Sequence, residues 1–364
     1  MTNHTPLLAA DAACPASRSL WQLGWQRLRR DRIGLAALWV VAAFVLLALA
    51  GWLGLAGSHW RHEVAKPNTP PALFKHYGPA TVELTAADID AAQQHHTSTA
   101  DASAATGMSA EDDPLAADMA AAQAAAAKTA PASTAVPPHD GSLVCGSDSR
   151  GRDVLQKVIQ GTATSLLVGL SGALLAMLIG TVLGALSGYF GRRVDDLLMW
   201  FYSVFTSVPD MLLLLAFSAV MSRGIDTVIM VMALTSWTGT YRLMRAEFMK
   251  HKCREYVQAA DAIGASHRSR MFRHILPNVT HLLLVQFSLL TVALIKYEAI
   301  LSFLGFGVGV TQTSWGAMLA EAPAELLQGY WWQMAAVTLC MSLLVTAFSM
   351  LTDSLRDALD PKVQ

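Results

Sequence analysis

Six stretches of the chain stay apolar for longer than a core strand or an ordinary core helix requires. Residues 33–57 carry no charged side chain, and neither do 158–191, where a helix is predicted over 164–189. Residues 197–222 are interrupted only by Asp210, and the shorter run 227–241 extends into its flanks. Residues 275–295 lack Asp, Glu, Lys and Arg and run on toward 304, and residues 326–352 are again uncharged. A bilayer core of about 30 Å is crossed by roughly 20 apolar residues in a helix. The pattern therefore predicts an all-α membrane protein with six transmembrane helices and both termini on the same side.

Composition supports this. Of 364 residues, 53% are hydrophobic and 15% charged, against about a quarter charged in an average soluble protein. That excludes a soluble enzyme and a disordered chain. The net charge of −1 gives no sign of a nucleic-acid partner. Cys14, Cys145, Cys253 and Cys340 form no CxxC pair, and no disulfide framework is expected. The first apolar block follows a basic cluster and is too long for a signal-peptide core, so it reads as a retained anchor.

Lys and Arg set the orientation. With a cytoplasmic N-terminus, the inside segments hold 17 of them and the outside segments eight, seven of those in the one long loop. Long loops translocate regardless of charge, so the short ones decide, and residues 305–331 contain no Lys or Arg. The domain reading is then a cytoplasmic segment 1–32, a first span 33–57, and a periplasmic loop 58–157. A membrane core 158–353 with an inside loop at 246–278 and a cytoplasmic tail 354–364 complete it. Within the long loop, residues 85–138 hold 21 alanines and no Phe, Tyr or Trp. Such a stretch buries too little apolar surface to offset its ordering entropy, and a mobile external insert is expected. The pair His95–His96 lies in it without further ligands at metal-site spacing.

The inside loop carries the most information. Tyr256 to Ile263 are helix formers, Gly264 can cap them in a left-handed conformation, and Pro277 opens the next span where a missing N–H costs little. A short helix with small alanines on the membrane surface would let another protein approach closely. Ala259-Ala260, Gly264 and Leu276-Pro277 resemble the "EAA" loop of permease subunits from bacterial ATP-binding-cassette importers. In that family the loop is a coupling helix seated in a cytoplasmic ATPase. Tyr256, Gln258, Ala259, Ala260, Gly264, Leu276 and Pro277 are the coupling residues that this likeness implies, with Gln258 standing where the family's glutamate would be and His274 where an isoleucine would be. Gly146-Ser-Asp-Ser-Arg-Gly-Arg-Asp-Val-Leu155, Leu301-Ser-Phe-Leu-Gly-Phe-Gly307 and Ser314-Trp-Gly316 are similar to segments of the "C-type" subunits of dipeptide and oligopeptide importers, as are the segments around Trp25–Arg32 and Arg356–Pro361.

The resemblance implies that the last five helices form the shared importer core. It also implies a second permease subunit in a heterodimer, two cytoplasmic ATP-binding subunits that hold ATP and magnesium, and an external solute-binding protein. This chain has no phosphate-binding Gly-x-x-x-x-Gly-Lys loop, no cofactor motif and no metal site, and reads as a non-catalytic subunit. Pro209, within the third span, should kink it. Asp210, Lys296 and Glu298 lie at or near membrane depth, where ionisable side chains face a bundle interior or a watery cavity. Together with Pro209 they are candidates for the substrate path, or for a local ion pair between helices. Gly180, Gly184 and Gly188 mark a close helix contact. The alternative is an ion- or proton-coupled carrier working through Asp210, Lys296 and Glu298 without ATP.

Overall fold

The computed structural model describes residues 26–72, 143–309 and 312–359. The alanine-rich stretch 85–138, with His95 and His96, lies outside the described residues. The chain divides into two units, one of residues up to His59 with Gln156–Pro323 and Met334 onward, the other of Trp60–Leu155 with Ala324–Gln333.

The first unit is helical. We number its helices α1 (Arg32–Trp52), α2 (Val154–Phe190), α3 (Arg192–Thr206), α4 (Asp210–Val220), α5 (Ile225–Ser236), α6 (Thr238–Lys252), α7 (Glu255–Ala262), α8 (Leu276–Phe303), α9 (Trp315–Leu327) and α10 (Trp332–Leu359). A turn at His267–Ser269 and a π-helical turn at Arg270–Ile275 run without a break into α8. Among the described residues, four helices are long and apolar enough to cross a membrane: α1, α2, the continuous His267–Phe303, and α10. The pair α3 and α4 makes a fifth if taken as one bent span, and α5 is apolar but short.

Several boundaries depart from the hydropathy pattern, each for a visible reason. Helix α2 begins ten residues before the predicted start at 164, because Lys157 is buried there against Glu321 and does not need water. The run 197–222 is two helices bent by 82° at Ser207–Pro209, where proline cannot continue the ladder. The run 227–241 is the end of α5 and the start of α6, with Trp237 between them. Residues 326–331 end α9 and turn, so the last long helix begins only at Trp332.

Gly180, Gly184 and Gly188 seat α2 directly on the backbone at the start and along the length of α6. A methyl group on Gly180 would lie 2.6 Å from the Trp237 carbonyl, and one on Gly184 would lie 2.6 Å from that of Tyr241. One on Gly188 would collide with the Arg245 carbonyl. Small residues at four-residue spacing allow this approach. An apolar cluster formed by Val168, Leu214, Val231, Met232, Leu290 and Leu294 joins α2, α4, α5 and α8. A second cluster joins α2, α6, α7 and the π turn through Tyr189, Met244, Phe248, Val257, Met271 and Ile275. Helix α1 begins at the N-cap Asp31, whose carboxylate accepts from Ile33 and Gly34 N–H and from Ser354 on α10.

The described residues of the second unit are tied together by polar contacts. Asp148 accepts from the N–H of Arg150 and Arg152 at 2.9 and 2.8 Å and pairs with the Arg152 guanidinium at 3.1 Å. Trp332 Nε1 donates to the Ser147 carbonyl at 2.8 Å, and the Ser149 N–H donates to Glu325. This accounts for the Gly146–Asp153 motif: Gly146 and Gly151 both have positive φ, and a side chain on Gly151 would strike the Ala65 carbonyl. The Ala72 N–H donates to the Leu143 carbonyl at 2.9 Å.

Candidate functional site

Helix α7 sits between α6 and the π turn. Its end is a Schellman motif: Ala265 N–H bonds the Ala260 carbonyl and Gly264 N–H the Asp261 carbonyl, with Gly264 at φ 82°. Val257 and Ala260 point inward and are buried. Tyr256, Gln258, Ala259 and Ile263 point outward, and Ile263 is 84% exposed. Of the two expected coupling alanines, Ala259 is exposed and Ala260 is buried. Residues 256, 259 and 263 recur at helical spacing on one face, whereas 257 and 260 recur on the other.

The remaining loop residues hold this helix in place. Leu276 is half-buried at the end of the π turn, and its N–H reaches back to the Met271 carbonyl. Pro277 follows in the first turn of α8. In an unbroken α-helix its ring would meet the carbonyl four residues before it, and the wider π turn removes that clash. Tyr256 shares a 2.7 Å hydrogen bond with His251 Nδ1 at the end of α6. Burial holds the His251 imidazole below its ordinary value.

Arg270 stands at the centre of a network that sequence reasoning did not single out. Its Nη1 pairs with Asp261 of α7 at 2.5 Å and its Nη2 donates to His267 Nδ1 at 2.9 Å. Since a guanidinium can only donate, Nδ1 is an acceptor, and the Tyr189 hydroxyl of α2 donates to it at 3.0 Å. The Arg270 guanidinium and the Lys252 ammonium also lie over the Tyr189 ring, 6.0 and 5.6 Å from its centre. Nearby, Arg245 grips both Asp195 oxygens at 2.6 and 2.7 Å, joining α3 to α6. The only sequence signal for Arg270 was membership of a basic loop.

The four substrate-path candidates do not converge. Pro209 and Asp210 are exposed at the 82° bend, Asp210 being the first residue of α4, and Lys296 is exposed on α8. Glu298, by contrast, is fully buried. Its carboxylate accepts from Ser165 of α2 at 2.9 Å and from Ser302 at 2.7 Å, with Ser314 also in contact. The expected local ion pair is thus replaced, among the described residues, by three hydroxyls. A serine 133 residues from Glu298 in sequence gives no linear signal. They fasten the segment leading into α9, where Trp315 N–H donates to Ser165 and Trp315 Nε1 to the Val158 carbonyl. One turn further along α9, Glu321 pairs with Lys157 of α2.

An all-helical bundle with several membrane-length helices defines a polytopic membrane protein. The chain belongs to the family described as binding-protein-dependent transport system inner membrane component, whose model matches residues 180–364. A second model, the N-terminal transmembrane domain of oligopeptide transport permease C, matches residues 19–71. The chain is 36% identical over 230 residues to the oligopeptide transport system permease protein OppC of Haemophilus influenzae, covering 63% of this chain and 73% of that one. It is 36% identical over 219 residues to the dipeptide transport system permease protein DppC of Bacillus subtilis, covering 60% and 68%. The di/tripeptide permease DppC of Pseudomonas aeruginosa is likewise 36% identical, over 222 residues, covering 61% and 73%. A solved structure of the MetNI methionine transporter aligns with 57% of the chain and 98% of its own at TM-score 0.47 and 18% identity. The protein is thus a multi-pass inner-membrane component of a binding-protein-dependent system, and the ion-coupled carrier is left without support.

Proposed function

We propose that this chain is the permease subunit of an ATP-driven importer of peptides, of the dipeptide or oligopeptide class. It forms the translocation path with a second, homologous permease. Two cytoplasmic ATPases hold ATP and magnesium, and an external binding protein delivers the cargo. The names of the relatives support the peptide class. The Lys and Arg distribution supports six spans with both termini cytoplasmic, in which α5 with the start of α6 makes the sixth.

One observation carries the mechanism: a capped helix, α7, keeps Val257 and Ala260 on the bundle and leaves Tyr256, Ala259 and Ile263 bare. An outward apolar face on a helix held by polar ties is what a cleft in a partner ATPase would grip. Closure of the ATPases would displace α7, and the bundle would open outward to accept cargo. Gln258 is outward too, donating to the Cys253 carbonyl at 3.3 Å. The test is to reconstitute the subunit with its co-purifying permease and ATPases in liposomes and follow uptake of a labelled dipeptide delivered by the binding protein. Uptake that needs hydrolysable ATP supports the reading. Uptake that persists without ATP and collapses with the proton gradient overturns it.

A further inference from the structure

Helix α7 is attached to the bundle in two physically different ways. The first is apolar: Val257 and Ala260 lie against the bundle, and Val257 belongs to a cluster shared with α2, α6 and the π turn. Apolar contact is non-directional and lets surfaces slide. The second is polar and directional. Asp261 of α7 is paired with Arg270, Arg270 donates to His267, and His267 accepts from Tyr189 of α2. Arg270 is 13% exposed and fixed by partners on three sides, whereas Asp261 is 62% exposed. The inner partner is therefore the rigid one.

We propose that Arg270 is the positioning residue through which displacement of α7 is passed to α2. This rests on the coupling role of α7 given above and names the residues that carry it. Arg is suited to the place because its planar fork can hold Asp261 with one nitrogen and His267 with another while its face covers the Tyr189 ring. Lysine, a point charge on a flexible stem, can satisfy only one of these at a time.

The receiving helix makes the inference consequential. Helix α2 has 37 residues, about 55 Å at 1.5 Å per residue. Near one end it carries Tyr189, and along that half the glycines that lock it onto α6. Near the other end it carries Ser165, Val158 and Lys157, which hold Trp315 and Glu321 of α9. A push on α7 that reaches Tyr189 is thereby delivered toward α9, because α2 is one unbroken helix between them. Were α7 held only by its apolar face, it would slide before α2 moved.

The experiment uses the complete transporter in proteoliposomes and measures peptide uptake and ATP hydrolysis on the same sample. Arg270→Lys keeps the charge and the Asp261 pair but loses the simultaneous hold on His267. Tyr189→Phe keeps the ring and loses the hydroxyl. Each is expected to leave complex assembly and ATP hydrolysis in place while lowering peptide transported per ATP by about fivefold or more. The double variant is expected to match the worse single one, since the contacts act in series. A proportional fall in uptake and hydrolysis, unchanged transport per ATP in both variants, or fully additive losses would overturn the proposal. Absence of ATP-dependent peptide uptake by the unaltered complex would instead refute the coupling reading itself, which separates the two failures.

Discussion

Glutamate placed at two adjacent alanines should give two different failures. Ala259 faces outward and Ala260 is 4% exposed against the bundle. An unpaired carboxylate held at position 260 would cost about 3–5 kcal/mol. Lifting α7 off the bundle forfeits the burial of Val257, about 1.5–3 kcal/mol, and the Tyr256–His251 hydrogen bond, about 0.5–1.5 kcal/mol, with little from the largely exposed Asp261 side of its ion pair. Undocking is the cheaper escape, so Ala260→Glu should release α7. A shift of about 1.4 kcal/mol is a tenfold change in population. Trypsin cleavage at Arg254 and Arg268, which flank α7, should therefore rise about tenfold or more in the purified subunit. Ala259→Glu adds a charge to a solvated face, an effect within about 0.5 kcal/mol, and should leave cleavage within about twofold. In the complex, Ala259→Glu should nonetheless displace the ATPase, read as its loss on co-purification. If Ala259→Glu opens the loop as much as Ala260→Glu, the assignment of faces is wrong. If it retains the ATPase in full, the outward face is not the docking surface.

Three further outcomes are expected. Gly184→Leu drives a side chain into the α6 backbone at Tyr241 and Met244 and should destabilise by at least about 1–3 kcal/mol. Gly239→Ala, which meets only the end of Gln286 at 3.7 Å, should be tolerated, with thermal unfolding in detergent as the measurement. Glu298→Gln keeps one acceptor oxygen and offers an amide N–H to a rotated serine hydroxyl in place of the other, and should cost less than about 1 kcal/mol. Glu298→Ala leaves a cavity and stranded hydroxyls and should cost about 2–5 kcal/mol in the same assay. The His251 imidazole is held low by burial, with Lys250, Arg254 and His281 adding to this and Glu247 opposing it. The stability contributed by keeping this imidazole neutral is therefore present above the ordinary histidine value of about 6.5 and lost as pH falls through the lower folded one. Protection factors for amide exchange around the junction of α6 and α7, corrected for the intrinsic pH dependence, should fall on acidification, and His251→Gln should abolish that dependence.

Much of the loop from 246 to 278 was legible in the linear sequence. Alanine-rich helix formers, a glycine at the turn and a proline at the next helix are local signals, and α7 and its Gly264 cap follow from them. Which alanine faces out could not be read without the inward neighbours: period 3.6 separates 259 from 260, but only the position of α6 and α2 says which side is inner. The bend at Pro209 has a local cause, and its size comes from the packing of α3 and α4 on other helices. Glu298 shows the opposite case. Its charge and depth were visible, whereas its serine partners come from α2, its own helix and the start of α9 and are joined only by folding. Arg270 was hidden because a basic loop next to a membrane looks the same whether its arginines bind each other's neighbours or water.

The bond from Ala72 N–H to the Leu143 carbonyl bears on chain length. It holds positions 72 and 143 together. Where two positions meet in this way, the number of residues between them can change at little cost, because closure entropy grows only with the logarithm of that number, about 0.6 kcal/mol per doubling. The junction at 72 and 143 can therefore absorb a change in chain length with little effect on the ties that Asp148, Trp332 and Glu325 make.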